Sequence, residues 1–527
     1  MALLQKVLAR FAGTPPSRSS AAPDAGGTAQ SSSAQDMAGA ERLIAEGNQL
    51  EDAGRLPEAL ARYREAARIA PQLAKAHLNL GIGLAAAGDP AAAVAAYRTG
   101  LSLDTAHPFL HYNLANALYL QGDFAGARGH AQQAIAAKPD LVQAHVLLAN
   151  ALEELGHDVE ALAAIEHAIA LDPAYAGAHV NRVRLLENLL RVDDSIAAAQ
   201  EALRAFPEEA DLHWGLAVSH LLRGDFAAGW REHEWRPAAR TRNPFHPAGA
   251  RWDGKEDLQG RSILLYAEYG FGDTLQFLRF VPQVAQRAAR VVLAVQGAVA
   301  GLVRAAAPAH CLVVSEGEPL PATDLHFPLL SLPFALDIGE PRLASGTPYL
   351  QADAARVAHW RHRLEEHGRS RNVGIVWSGN PLHGNDRNRS MSLGVMAGLA
   401  ASSGPGCRFV SLQPQVRDGD RDAMAQWPDL LPWGFELRDF ADTAALVQAL
   451  DLVITVDTSV AHLAGALGRP LWVLVPYVPD WRWQLQREDS PWYPTARVWR
   501  QSARRDWAEV VARVGDALRN GDRSAGA

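Results

Sequence analysis

The sequence predicts an α-solenoid over its first half and an α/β architecture of two facing parallel-sheet domains over its second. Three observations carry that fold class. Small residues, glycines and prolines recur on a 34-residue grid between about residues 40 and 236. Beyond a proline-bearing linker at 237–250, helix after helix gives way to short apolar strands alternating with helices. Those strands form two sets, with a break near 345–371. Alternation of this kind argues for parallel sheets wound with helices, with ligands held at the carboxyl ends of the strands.

The grid is explicit in the residues. Pro71, Pro139, Pro173 and Pro207 share one position, with Thr105 filling the gap. Gly47, Gly81, Ala115 and Ala149 share a second, and Ala59, Ala93, Ala127 and Ala161 a third. Small side chains let paired helices approach closely, and the proline ends one pair before the next begins. Gly54, Gly88, Gly122 and Gly156 stand where two helices must turn. The fifth unit departs from the pattern at Val183 and Leu190, and DLHWGLAVSHLLRGDFAAGW reads as a half-formed sixth that caps the array. Asparagines form two rows on the same grid, Asn79, Asn113 and Asn181 in one and Asn48, Asn116 and Asn150 in the other. A carboxamide both donates and accepts, so such rows suit the backbone of an extended peptide. Asparagine is also frequent at these positions for purely structural reasons.

Composition narrows the class. A chain of 527 residues should split into two or three domains, and 48% apolar with 20% charged residues is ordinary for a globular protein. A net charge of -8 gives no overall attraction to nucleic acid. The two cysteines, Cys311 and Cys407, make no metal or disulfide pattern and suit a reducing compartment, so a cytoplasmic location is expected. Residues 1–39 read as a short helix and a disordered Ser/Ala/Gly/Pro-rich linker. The opening MALLQKVLARF is apolar on one face and broken by Lys6 and Arg10, so it reads as a docking helix, with peripheral membrane contact through 1–12 as the alternative. No run approaches the roughly eighteen apolar residues that cross a bilayer.

The expected strands are Ile263–Ala267, Val291–Val295 and Leu312–Ser315 in a domain at 251–345, then Val373–Trp377, Phe409–Leu412, Leu452–Val456 and Leu471–Val475 in one at 371–503, with a helix and tail at 504–527. Three strand ends carry chemistry. After the first strand comes YGFGDTLQF, where Gly270 and Gly272 flank Asp273; the third glycine of a dinucleotide fingerprint is missing, and Asp273 with Gln276 has the spacing of a capping box. After Val373–Trp377 comes a polar loop with Ser378, Asn380, Arg387 and Arg389, and arginine suits phosphate. After Leu452–Val456 comes DTSVAH. Thr458 and His462 lie on one helix face, beside an N-terminus whose free N–H groups suit a diphosphate. Taken alone, Asp457 reads as an ordinary N-cap and His462 as a partly buried histidine.

The repeats resemble tetratricopeptide repeats (TPR). GFGDTLQF, WSGNP…NRS and VDTSVAHLAGALGRP together resemble the family 9, heptosyltransferase-like glycosyltransferases over roughly 255–500. That resemblance implies a GT-B fold of two Rossmann-like domains, an acceptor-side domain followed by a nucleotide-sugar-side domain. It implies Asp273 as general base, diphosphate contacts from Asp457, Thr458 and His462, and a place near the nucleoside for Gln413; the Ser459 hydroxyl, read from its place at the helix start, is a further donor. Characterised members have a phosphate-binding lysine after this loop; the nearest candidate here is Arg389, a departure from the family's pattern that leaves the donor open. It implies metal-independent, inverting transfer from a nucleotide-sugar substrate with no cofactor. PYVPDWRW, Tyr477 to Trp483, resembles a poorly characterised subgroup in which such repeats are fused to a transferase. The architecture is similar to the protein O-linked N-acetylglucosamine transferases, which implies a protein acceptor held by the array. The alternatives are a glycolipid or surface-saccharide acceptor, and a non-catalytic scaffold with a degenerate transferase domain.

Overall fold

The computed structural model describes residues 34–236, 245, 247–340, 343, 346–404 and 406–521. The expected N-terminal helix, most of the linker after it and the end of the tail lie outside these residues. The chain divides at Leu212/His213 into two compact units.

In the first unit, ten helices follow as packed pairs. These are α1 (Ala34–Asp52) with α2 (Leu56–Ile69), α3 (Ala74–Ala86) with α4 (Pro90–Leu103), and α5 (Pro108–Leu120) with α6 (Phe124–Ala137). They continue as α7 (Val142–Glu154) with α8 (Asp158–Leu171), and α9 (Ala176–Asn188) with α10 (Val192–Leu203). The small grid positions are where the helices touch. A Cβ on Gly47 would stand 2.4 Å from the ring of Tyr63, and one on Gly81 would stand 2.3 Å from Tyr97. The turn glycines hold φ of +74° to +83°, and Leu190 takes the same left-handed turn at φ 56°. Overpacking a helix contact costs about 1–3 kcal/mol. Gly81→Ala should therefore lower the unfolding midpoint, while a same-size change at exposed Ala91 leaves it unchanged; denaturation followed by circular dichroism measures both.

A histidine row runs through the array that the repeat pattern did not suggest. His77, His111, His145 and His179 donate through Nε2–H to the carbonyls of Pro71, Thr105, Pro139 and Pro173, at 2.8, 3.0, 2.8 and 3.0 Å. A carbonyl only accepts, so the bond sets the tautomer. Each histidine thereby closes the inter-repeat loop six residues before it, and the bond survives where threonine replaces proline.

The second unit begins within α11 (Ala210–Arg223) and includes α12 (Phe226–His233). Within it, α12 is anchored by Trp230, whose Nε1 donates to the Ile338 carbonyl at 2.9 Å and whose ring meets Trp481 edge-on. Two five-stranded, all-parallel sheets follow. The first runs in the order β1 (Ala250–Arg251), β5 (Leu325–Pro328), β2 (Ser262–Tyr266), β3 (Arg290–Val295), β4 (Cys311–Ser315). The second runs β10 (Ala496–Arg500), β9 (Leu471–Val475), β8 (Leu452–Val456), β6 (Arg371–Val376), β7 (Cys407–Ser411). In register, Leu264 faces Val292 and Ile375 faces Ile454. The central strands are mostly apolar because helices cover both faces; Val373, Ile375, Ile454 and Leu474 share one core with Val514 of the helix at 507–519. Strands β1, β5 and β10 were not expected: β1 is two residues long, β5 carries a histidine and a proline, and β10 carries Arg497 and Arg500.

Chain order places the site. In the first sheet the chain leaves β2 toward β3 on one side and returns on the other through β5. In the second it leaves β6 toward β7 and returns beside it through β8. Crossovers on opposite sides of a strand open a crevice at its carboxyl end. The crevices lie after β2, β6 and β8, where the three polar loops begin. Among the described residues, no helix is long and apolar enough to cross a membrane.

Candidate active site

One cleft of about 1610 Å³ receives all three loops. Gly270, Gly272 and Asp273 line it from the first lobe; Ser378, Asn380, Arg389, Gln413, Asp457, Thr458, Ser459 and His462 line it from the second. Arg387 is exposed and is not part of the wall.

Asp273 lies on a short helix, α13 (Phe271–Phe277), whose N-cap is Gly270. This corrects the expected capping box by one turn position: Asp273 is inside the first turn, and its Oδ2 accepts from the N-cap amide of Gly270 at 2.9 Å. Gln276 is buried and its Oε1 accepts from Arg482, so it does not cap at all. Gly272 is a close-approach glycine. A Cβ there would come within 2.8 Å of the His462 ring and 3.5 Å of Ser459 Cα. Glycine thus brings the first lobe against the start of α17 (Ser459–Ala466), numbering after α14 (Gly297–Ala306), α15 (Ala354–Glu366) and α16 (Phe440–Ala449); α18 (Trp507–Arg519) is the last helix among the described residues.

The N-cap of α17 is Thr458, not Asp457. Thr458 Oγ1 accepts from Val460 N at 3.3 Å and bonds Thr455 Oγ1 at 3.0 Å. Behind it, Arg389 donates to the Asp457 carbonyl at 3.0 Å and lies over Gly379, where a Cβ would meet its guanidinium at 2.7 Å. Asp386 stands 3.8 Å from Arg389 but 2.5 Å from Arg417, so its charge is shared. Among the described residues, Ser378 Oγ, Gln413 Oε1 and Arg389 Nε are buried polar atoms with no hydrogen-bond partner, and all three residues face the cleft. Such atoms are costly without a ligand to bond them.

His462 is held on two sides. Its Nδ1 lies 2.9 Å from Tyr493 Oη, and its ring stacks on Trp483 with centroids 5.7 Å apart. Burial, with Arg482, Arg279 and Arg389 nearby, pushes its pKa well below 6.5; burial and then Arg236 and Arg482 do the same for His233, on the same cleft wall. Burial and the Asp480 charge raise the Asp457 carboxyl. The signs differ. An unfolded histidine takes up a proton near 6.5 while these folded ones do not, so stability is lost as pH falls below that value, by up to about 1.4 kcal/mol per unit for each. Asp457 opposes this, gaining stability as pH falls from its raised folded value toward its unfolded one. Stability of the second unit to urea should therefore fall between pH 7.5 and 5.5, and His462→Asn should make the fall shallower; an unchanged slope would mean His462 charges normally in the fold.

Asp480, Trp481 and Arg482, from the loop between β9 and β10, complete the wall, together with Arg417, His233 and Trp214. None was expected in the site. The signal available was PYVPDWRW itself, a strand-end loop mixing charge and aromatic rings.

The tandem-repeat and transferase patterns both find relatives. Tetratricopeptide repeat models match residues 47–88, 108–141, 142–175 and 180–229. The model of glycosyltransferase family 9 (heptosyltransferase) matches residues 438–498, which takes in Asp457, Thr458, His462 and Arg482. The chain thus joins segments that match tetratricopeptide repeats to one that matches the family 9 glycosyltransferases. Asp273 lies outside that match. Protein FlbA of Caulobacter vibrioides is 31% identical over 340 residues, covering 60% of this chain and 56% of that protein, so the match spans little more than half of its length. Among solved structures, MamA of Desulfovibrio magneticus RS-1 is 23% identical, covering 32% of this chain and 96% of that one, with a TM-score of 0.29. PilF of Pseudomonas aeruginosa is 16% identical over 38% and 90%, with a TM-score of 0.35.

The asparagine rows sit differently from the expectation of a peptide ladder. Asn79 and Asn113 each donate one Nδ2–H to the carbonyl four residues back on their own helix, at 2.8 Å. Asn181 donates to Asn150 at 3.1 Å, and Asn48 accepts from Tyr63 at 2.9 Å. Asn79, Asn150 and Asn181 are buried; Asn48, Asn113 and Asn116 are half-buried. These bonds occupy part of the capacity a peptide backbone would use.

Proposed function

We propose that the second unit is a GT-B glycosyltransferase, moving a sugar from a nucleoside diphosphate to a hydroxyl. The observation that supports this best is the meeting of a carboxylate from one lobe with a cationic helix-start pocket from the other in a single cleft. The diphosphate would lie at Thr458 and Ser459, where the N-terminal N–H groups of α17 and the Arg389 guanidinium supply positive charge without a metal. Ser378 and Gln413 supply polar atoms toward the rest of the donor. Asp273 takes the acceptor proton as the hydroxyl oxygen bonds to the anomeric carbon and the carbon–diphosphate bond breaks on the opposite face, which inverts the centre. The array recruits a protein acceptor, and the reaction belongs in the cytoplasm.

Titration with UDP, GDP, ADP and CMP nucleotides and their sugars tests the donor site, and labelled sugar transfer in a cell lysate tests the acceptor. Saturable binding of one nucleotide and label in the protein fraction are expected. Label confined to the lipid extract would move the acceptor to a glycolipid, and no nucleotide binding would leave a scaffold.

A further inference from the structure

Arg482 belongs to the second lobe, in the short turn Trp481–Trp483 between β9 and β10, yet its side chain ends on the first. Its Nη2 donates to Asp273 Oδ1 and its Nε to Gln276 Oε1, both at 2.5 Å. Its Nη1 lies 3.0 and 3.2 Å from the two oxygens of Asp480, and its guanidinium stands 4.1 Å from the centroid of Trp481. The side chain is 10% exposed. Burial opposes its charge, but Asp480 and Asp273 more than offset that and raise its pKa, so it stays a cation.

A guanidinium held by an amide, a carboxylate and an indole face has little freedom left. It therefore presents Nη2 to Asp273 in one direction, while the Gly270 amide holds the other carboxylate oxygen. We propose that Arg482 is the positioning residue for Asp273: it aims the carboxylate into the cleft, and does so only when the Trp481–Trp483 turn is seated against α13. The role rests on the glycosyl-transfer reading above. It makes the proton acceptor complete only with the two lobes together.

The charges argue against a donor-phosphate role for the same arginine. Arg482 is flanked by two carboxylates, Asp273 and Asp480, so the trio carries a net negative charge, which repels a diphosphate. Arg389 has Asp386 only at 3.8 Å, and that carboxylate is already paired with Arg417.

The test uses the full chain with the nucleotide sugar and acceptor that the wild type accepts. Misplacing a reacting group by about 1 Å costs on the order of 100-fold, so Arg482→Ala should lower kcat by about that factor. KM for the donor and the Kd for the free nucleotide should stay within about twofold of wild type. Guanidinium ion added to the assay, and Arg482→Lys, should each restore part of the rate, which a merely structural loss would not allow. A wild-type rate for Arg482→Ala overturns the role; so does a loss of nucleotide affinity equal to the loss of rate, or no rescue. If the wild-type chain binds no nucleotide at all, the glycosyl-transfer reading itself falls, and the positioning role with it.

Discussion

Asp273→Ala is expected to abolish sugar transfer while leaving nucleotide binding within about twofold of wild type. A positioned general base contributes about 10²–10⁴-fold, and that factor should appear in kcat. The nucleotide should stay because Asp273 sits on α13, whereas the start of α17, Arg389 and Gln413 all belong to the other lobe. Asp273 also accepts from Gly270 N, so alanine removes a helix-end bond worth about 1 kcal/mol. Asp273→Asn removes the proton acceptor but keeps the bond to Gly270 through its amide oxygen, giving up the Arg482 bond at the other position. Loss of transfer in both variants, in folded proteins that still bind nucleotide, assigns the carboxylate a chemical role. Transfer at the wild-type rate in either would leave Asp273 as a helix cap.

Arg389→Ala should act on the other side of the reaction. A charge-assisted hydrogen bond contributes about 1.5–3 kcal/mol, so nucleotide Kd should rise about 10- to 100-fold. The effect should be larger for a diphosphate than for a monophosphate or nucleoside, and should shrink as salt rises. Calorimetry with the three ligands at two ionic strengths measures it. Unchanged affinity would remove Arg389 from the donor site and return its Asp457 contact to a loop-holding bond.

The repeat array was legible because each unit solves the same contact problem with the same residues. Gly47 and Gly81 are glycine because a tyrosine ring fills the space of their Cβ, and the same position stays small, as Ala115 and Ala149, in the next two units. Strands β8 and β9 were legible to the residue, since five buried residues, all apolar but Thr455, bounded by turn residues have few other readings. Strands β1 and β10 were not: β1 is two residues long, and Arg497 and Arg500 interrupt the apolar residues of β10. In the site, the residues that open a helix or end a strand were visible as motifs. Arg482 was visible as a letter in PYVPDWRW but not as a partner of Asp273, which is 209 residues away.

The sequence by itself determined the local matters: where helices pair and turn, which strands are buried on both faces, and which strand ends carry carboxylate, hydroxyl and arginine. Periodicity and capping act over a few residues, so they are written in the order of the chain. Only the tertiary structure decided which of those ends share a cleft, that Arg387 is left outside it, and that Gln276 serves Arg482 instead of a helix end. It also placed the turn glycine's equivalent, Leu190, in a left-handed conformation that leucine disfavours. Those outcomes depend on crossover order in two sheets and on the close approach at Gly272. Both bring together residues hundreds of positions apart, which no short-range pattern encodes.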